Sequence, residues 1–355
     1  MPPEASGVLP EYGVGRSVSK LMGESLMSKI RSRTAYLMGA ALSLGVMGLS
    51  PVASAADLPV KAKAPVVGAS MPLDVHGYAD YTIASGRVTP GGLRIYPNRG
   101  SLSQFEVGLS LDIYKNPTGF INSFSVFGGI WNEIWSSPPA GSRTWQEMDW
   151  WVGGSVGFAK YYTFTAQSLQ FEFPGGLPTA RMVVLSLGAN DATWGLPIAL
   201  NPYVNWFYNY TGGSTVVLGK TSSTYRVELG IKPTISMKPY WAIPLSFTFP
   251  TWVTVGPSSY WNRNDGTTNF CGPASATACS SGSTGVFSTG LQAKLSLESL
   301  IPKRLGSWYL KGGVQYYHIT NDSLLGAQVV TGAATSFADA KKDVFIYNGG
   351  IGFSF

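Results

Sequence analysis

From Phe105 to Ile113 the chain alternates without a break. Phe105, Val107, Leu109, Leu111 and Ile113 are apolar, and Glu106, Gly108, Ser110 and Asp112 lie between them. Wound as a helix, this stretch would scatter its apolar groups around the whole circumference. Extended, it has one apolar and one polar face, because successive side chains of a strand point to opposite sides. Tyr225 to Lys232 and Leu291 to Glu298 repeat the pattern. A chain built from such segments needs apolar surroundings against one face of every strand. A second sheet supplies them in a soluble sandwich, and lipid supplies them in a barrel.

Composition selects between the two. Only 12% of the residues are charged, against about 25% in an average soluble domain. Yet no stretch beyond residue 55 is apolar for the roughly 18 residues that a membrane-crossing helix needs. Low charge without long apolar runs fits a transmembrane β-barrel, whose lipid-facing residues alternate with interior ones. The mean hydropathy of +0.09 agrees with that. Twelve alternating segments can be marked, at about 75–86, 101–114, 120–135, 145–158, 161–173, 180–190, 201–210, 222–236, 244–255, 285–297, 307–319 and 343–355. The stretch 120–135 is apolar on both sides in places, and 161–173 seems to switch face near Ser168. The expectation is an all-β fold: one antiparallel up-and-down transmembrane barrel of about twelve strands.

The connections alternate in length, as short periplasmic turns and longer external loops do. Residues 115–119 form a tight turn and the link near Lys160 is tighter still. The two longest connections, 256–284 and 320–342, both fall on the expected external side. Residues 174–178, also on that side, are short and do not follow the rule.

The N-terminal region reads as an export signal. Lys29, Arg31 and Arg33 precede an apolar stretch from Ala35 to Leu49, and Pro51 leads into Ala53-Ser54-Ala55, a small-x-small cleavage site. Residues 1–55 are therefore expected to be removed, with 1–26 either a mis-called start or a long basic region; an anchor that stays attached is the alternative. Residues 56–73, with Pro59, Pro65 and Pro72, read as a periplasmic lead-in, and 74–355 as the barrel. The net charge of +6 is mild and scattered, and gives no argument for nucleic acid. Cys271 and Cys279, the only cysteines, lie in a Gly/Ser/Thr/Ala-rich loop of an exported chain and are expected to form a small disulfide. Neither has the neighbouring ligands a metal site would want.

In the last segment Phe345, Tyr347, Ile351, Phe353 and Phe355 share one face. It resembles the C-terminal strand by which the assembly machinery recognises outer-membrane proteins, with Phe353 and Phe355 as the signal. The junction from Ala55 to Lys61 looks like the mature start of small Gram-negative outer-membrane barrel proteins. Asn201 to Val204 and Phe249 to Pro257 resemble a group of uncharacterised, porin-like members. The resemblance implies an outer-membrane location among lipids and lipopolysaccharide, with oligomers possible. It brings no activity and no functional residues.

Catalytic chemistry has little to build on. Strand number alone resembles outer-membrane phospholipases, which need a serine, a histidine and an orienting group. The only histidines are His76 and His318, and neither lies in a nucleophile motif. Glu147 and Asp149 share a strand face, but beside Trp145, Trp150 and Trp151 they read as part of an interfacial girdle. Trp131, Trp135, Trp206, Trp308 and Tyr309 are assigned to the same girdles. No phosphate loop, zinc motif or calcium motif is present. No enzyme, cofactor or metal is expected. The polar face carries both signs of charge: Glu106, Asp112, Arg226, Glu228, Lys294 and Lys311 are the candidate lining of a narrow channel for small hydrophilic solutes. The alternatives are a closed barrel in which these charges pair and fill the interior, acting structurally or through surface-binding loops, and, further off, a lipid hydrolase. Strand number does not choose between open and closed, since about eight strands give a filled barrel and sixteen an open one.

Overall fold

The computed structural model describes residues 74–355 apart from 90, 93, 96–99, 139–142, 175–176, 193, 195, 197, 212–222, 239–242, 262–282 and 331–332. The expected signal peptide and lead-in, and with them Cys271 and Cys279, lie outside the described residues.

The alternating segments fold as β1 (Asp74–Ala84), β4 (Leu102–Lys115), β5 (Ile121–Trp135), β6 (Trp145–Phe158), β7 (Tyr162–Phe173), β8 (Leu177–Ala189), β9 (Tyr203–Thr211), β10 (Thr224–Ile231), β11 (Thr234–Ser236), β12 (Leu245–Thr248), β13 (Thr251–Val255), β14 (Thr284–Ser296), β15 (Ser307–Ile319) and β16 (Asp343–Ser354). These fourteen segments form one antiparallel sheet. Pro233 separates β10 from β11 and Pro250 separates β12 from β13. Proline has no N–H to give a ladder, so the two walls break there. β10 pairs with β13 and β11 with β12, so each broken pair is one wall and the barrel has twelve.

The ring closes because β16 pairs with β15 on one side and β1 on the other, and β14 bridges β13 and β15. At the seam the Gly77 N–H donates to the Phe355 carbonyl (3.1 Å), and the Phe355 N–H donates back to Gly77 (3.0 Å). The Phe355 ring lies where a Cβ on Gly77 would stand, so the last residue needs a glycine opposite it.

The outer face is apolar. Val75, Leu109, Ile130, Val152, Leu229 and Phe345 all point away from the barrel and are exposed. The inner face changes character along its length. On β7, Thr163, Thr165 and Gln167 share the inward side with Leu169, Phe171 and Phe173, and the last three are buried. The outward side runs from exposed Phe164 to Gln170 and Glu172, which bond to each other, to Arg181 and to Thr179. The strand does not switch face at Ser168; the chemistry of both faces inverts there.

Three connections at the long-loop rim turn into the structure. The ribbon of β2 (Arg87–Val88) and β3 (Arg94–Ile95) follows β1. A short helix, α1 (Ser258–Trp261), follows β13, and α2 (Asp322–Val330) follows β15. Asn321 caps α2 by accepting from the Ser323 N–H (3.0 Å). Leu324, Leu325 and Ala327 are buried with Val88, Tyr260 and Trp261 in one cluster with the inner-wall residues Trp135, Phe171 and Phe207. The surface-loop reading of 320–342 is therefore corrected: α2 is largely interior.

Gly129 sits inside this packing. A Cβ there would stand 2.4 Å from the Trp151 ring and 2.4 Å from the Val107 carbonyl. Gly129→Val should destabilise the barrel by about 1–3 kcal/mol, read as a lowered urea midpoint of the heat-modifiable gel band; Gly188→Ala, where a Cβ meets nothing within 4 Å, should leave that midpoint unchanged.

Candidate functional site in the barrel interior

The half of the interior nearer the tight turns is polar, ionic and partly wet. At its mouth Asp74 and Asp112 are direct register partners, and Lys115 bonds both, at 2.5 and 2.8 Å. His76 lies 3.2 Å from each carboxylate. Asp74, His76 and Asp112 place one ligand atom each within 4.8 Å of one another, a spacing a metal ion accepts. The Lys115 ammonium already bridges the two carboxylates, so ion pairing accounts for the arrangement. One level deeper, Lys311 is bonded to Asp80, which also accepts from the Tyr309 hydroxyl (2.9 Å). The Asp80 and Lys311 side chains keep 14% and 19% of their surface exposed. The Tyr78 hydroxyl donates to Glu106 (2.5 Å), and the Lys294 ammonium stands 3.9 Å over the Tyr309 ring.

The half nearer the long loops is dry. Trp135, Phe171 and Phe207 have no exposed surface. Into this apolar half the β2 ribbon sends one cation. Arg87 pairs with Glu133 and, at 3.2 Å, with Glu147, and its guanidinium lies 4.7 Å from the Trp131 ring. The Trp135 indole N–H donates to the other Glu133 oxygen (2.6 Å). Asp149, register partner of Trp131, is fully buried beside them, with neither carboxylate oxygen hydrogen-bonded. Three buried carboxylates thus face one guanidinium, and that guanidinium belongs to an in-folded loop. It acts as an ionic latch between the loop and the wall.

A second buried polar group lies on β9 and β10. Arg226 is fully buried and stacked 3.6 Å over the Phe207 ring. Its nearest carboxylate oxygen, on Glu228, is 3.9 Å away, while Glu228 accepts from the Asn205 amide (3.1 Å). Tyr260 of α1 covers Arg226, and burial pushes its phenol pKa up, with the guanidinium working against that rise.

All six residues singled out as a lining face inward. Asp112, Glu106, Lys311 and Lys294 lie in the polar half, and Arg226 and Glu228 in the dry one. Four aromatic assignments are corrected. Trp131, Trp135 and Trp151 point inward and are buried, and Tyr309 points inward onto Asp80. Glu147 and Asp149 likewise belong to the latch and not to a girdle. In the pair Trp150-Trp151, one ring must face each side, and Trp150 is the exposed one. Sequence reasoning missed Arg87 and Glu133. The signal at hand was three acids of one parity on neighbouring strands; nothing local marks Arg87 as their partner.

No protein-family model matches the chain, and no curated protein does. Among solved structures, similarity extends to OprB from Pseudomonas putida, at 9% identity over 80% of this chain and 94% of that one, with a TM-score of 0.36. It extends also to the transport unit of the autotransporter AIDA-I from Escherichia coli (14% identity, 79% and 90% coverage, TM-score 0.34). A third is the translocator domain of the autotransporter NalP from Neisseria meningitidis (12%, 79% and 88%, 0.33). Likeness at this level carries nothing about the site.

Arg87→Met should cost about 3–5 kcal/mol of stability, because it leaves buried carboxylates without their counter-charge. The triple change Arg87→Met, Glu133→Gln, Glu147→Gln should recover part of that loss, since it removes the orphaned charge as well. Urea unfolding of the three chains side by side measures both effects.

Proposed function

We propose that this protein is a non-enzymatic β-barrel of the bacterial outer membrane and forms a narrow, gated passage for small hydrophilic solutes, shut in the conformation described here. The observation that carries the reading is the divided interior. A partly wet, ionic half opens at one rim, and the other half is stoppered by loop elements that the Arg87 latch ties to the wall. A stopper built only as structure has no need of a buried charge, which costs several kcal/mol to desolvate. An ionic latch can let go as a unit, which an apolar plug does less readily. The outer band of apolar residues supports the membrane setting, with the tight turns periplasmic and the long loops external. Lipid and lipopolysaccharide would be the surroundings, and the assembly machinery the partner that reads Phe353 and Phe355.

A second reading has its own support. Trp135, Phe171 and Phe207 are wholly excluded from solvent, as in a barrel that stays closed and works through its structure or its surface. Planar-bilayer conductance of the refolded barrel separates the two. A gated passage should give rare, short openings in the wild type and frequent ones in Glu133→Gln, which weakens the latch while keeping its shape. Silence from both, with a heat-modifiable gel band proving the fold, would establish the closed barrel. In the conducting variant, adding Arg226→Glu should move the reversal potential toward cation selectivity; an unmoved potential would take Arg226 out of the path.

Membrane orientation has a separate check. Leu109→Arg, on the outward side, should cost about 2–4 kcal/mol if that face meets the bilayer midplane, while Ser110→Arg, one residue on and facing inward, should cost far less. Unfolding in lipid vesicles compares them.

A further inference from the structure

The polar atoms that the fold leaves unserved are not spread evenly. On β9 and β10 three neighbouring inward side chains lack partners together. Arg226 has no hydrogen bond on Nε, Nη1 or Nη2; Asn209 has none on either amide atom; Thr224 has none on its hydroxyl. Asn209 and Arg226 have no exposed surface and Thr224 is 6% exposed. Thr224 and Asn209 are direct register partners, and Arg226 is the next inward residue on the same strand, opposite Phe207. The three therefore form one contiguous patch, walled by Phe207 and covered by Tyr260.

Leaving such groups bare is costly. A buried donor or acceptor without a partner loses about 1–3 kcal/mol, and a charged one more. Native proteins rarely tolerate this, and an unserved group usually marks a missing water or ion. A water would serve some of these atoms, but a neutral molecule does not replace the counter-charge that a buried guanidinium has given up. The local charge points the same way. Arg226 and Lys232, which stands 4.6 Å over the Tyr203 ring, are two cations against the single carboxylate of Glu228.

We propose that Arg226, Asn209 and Thr224 form an enclosed subsite for a small oxyanion that also carries a hydroxyl group, such as a hydroxycarboxylate or monohydrogen phosphate. The guanidinium fork takes two oxygens of the anion side by side, the geometry in which arginine exceeds lysine. The Asn209 amide N–H and the Thr224 hydroxyl donate to the remaining oxygens. The Asn209 carbonyl, an acceptor, is served by the hydroxyl of the ligand, which a bare halide or a simple carboxylate does not offer. Occupancy of this subsite does not depend on the barrel conducting, so the inference stands apart from the gated-passage reading.

The test allows for the enclosure of the site. The full barrel is refolded from denaturant into detergent with radiolabelled malate or with radiolabelled inorganic phosphate, freed of unbound label and counted. Stoichiometric, retained label from one of the two is expected, and which one identifies the chemistry. Asn209→Leu should weaken retention about tenfold or more, the loss of one to two hydrogen bonds to a charged group. Arg226→Met should abolish it, and Arg226→Lys should restore part of it by returning the charge without the fork. Each variant is first shown to be folded by its heat-modifiable gel mobility; should Arg226→Met fail this, Asn209→Leu and Arg226→Lys decide. A folded wild type that retains neither label, as bridging water alone would give, overturns the proposal. So does retention that the folded variants leave unchanged.

Discussion

No strand of this barrel can leave an edge unpaired. Facing outward, the wall is apolar and offers no water to a bare N–H or carbonyl, so each strand's backbone groups must be met by a neighbour. Everything else follows from closing that ring. β16 is held between β15 and β1 along most of its length, and the final residue is stitched to Gly77 by a reciprocal pair of hydrogen bonds. Closure between the first and last strands makes the last strand the one on which completion of the ladder depends. That explains in physical terms why Phe353 and Phe355 sit on the outward side beside a glycine that leaves room for the ring.

Closure also creates an inside, and twelve strands leave enough of it that something must fill it. The protein fills the two halves differently. Near the tight turns, charged side chains pair across short distances and keep some water: Asp80 with Lys311 and Tyr309, Glu106 with Tyr78. Near the long loops, the walls carry Trp131, Trp135, Phe171 and Phe207, and the loops supply the rest of a core with Val88, Leu324 and Leu325. That half resembles the interior of a soluble protein turned into a tube. It obeys the same rule that buried apolar surface is packed and buried charge is paired. Arg87 against Glu133 and Glu147 meets the rule. Asp149 and Arg226 do not, and those exceptions are where chemistry beyond stability is to be sought.

Period-two alternation, low charge and loop lengths by themselves determined the fold class, the twelve walls and which parity faces out wherever one face is apolar and the other is not. The breaks at Pro233 and Pro250 follow from the missing N–H. The reason is local: in a strand, the side to which a residue points depends only on its parity, and lipid imposes one chemistry on one parity. Only the tertiary structure decided the rest. Where both faces are apolar, as at Trp150-Trp151 and along 120–135, parity carries no label. The side on which Trp131, Trp135 and Trp151 fall depends on which strands surround them and whether loops enter above them. The latch joins residues 46 and 60 positions apart through a loop that turns inward. The convergence of Asn209, Thr224 and Arg226 depends on the register between β9 and β10 and on α1 lying over them. Register, shear and the path of loops are set by contacts between distant parts of the chain, and no local pattern encodes them.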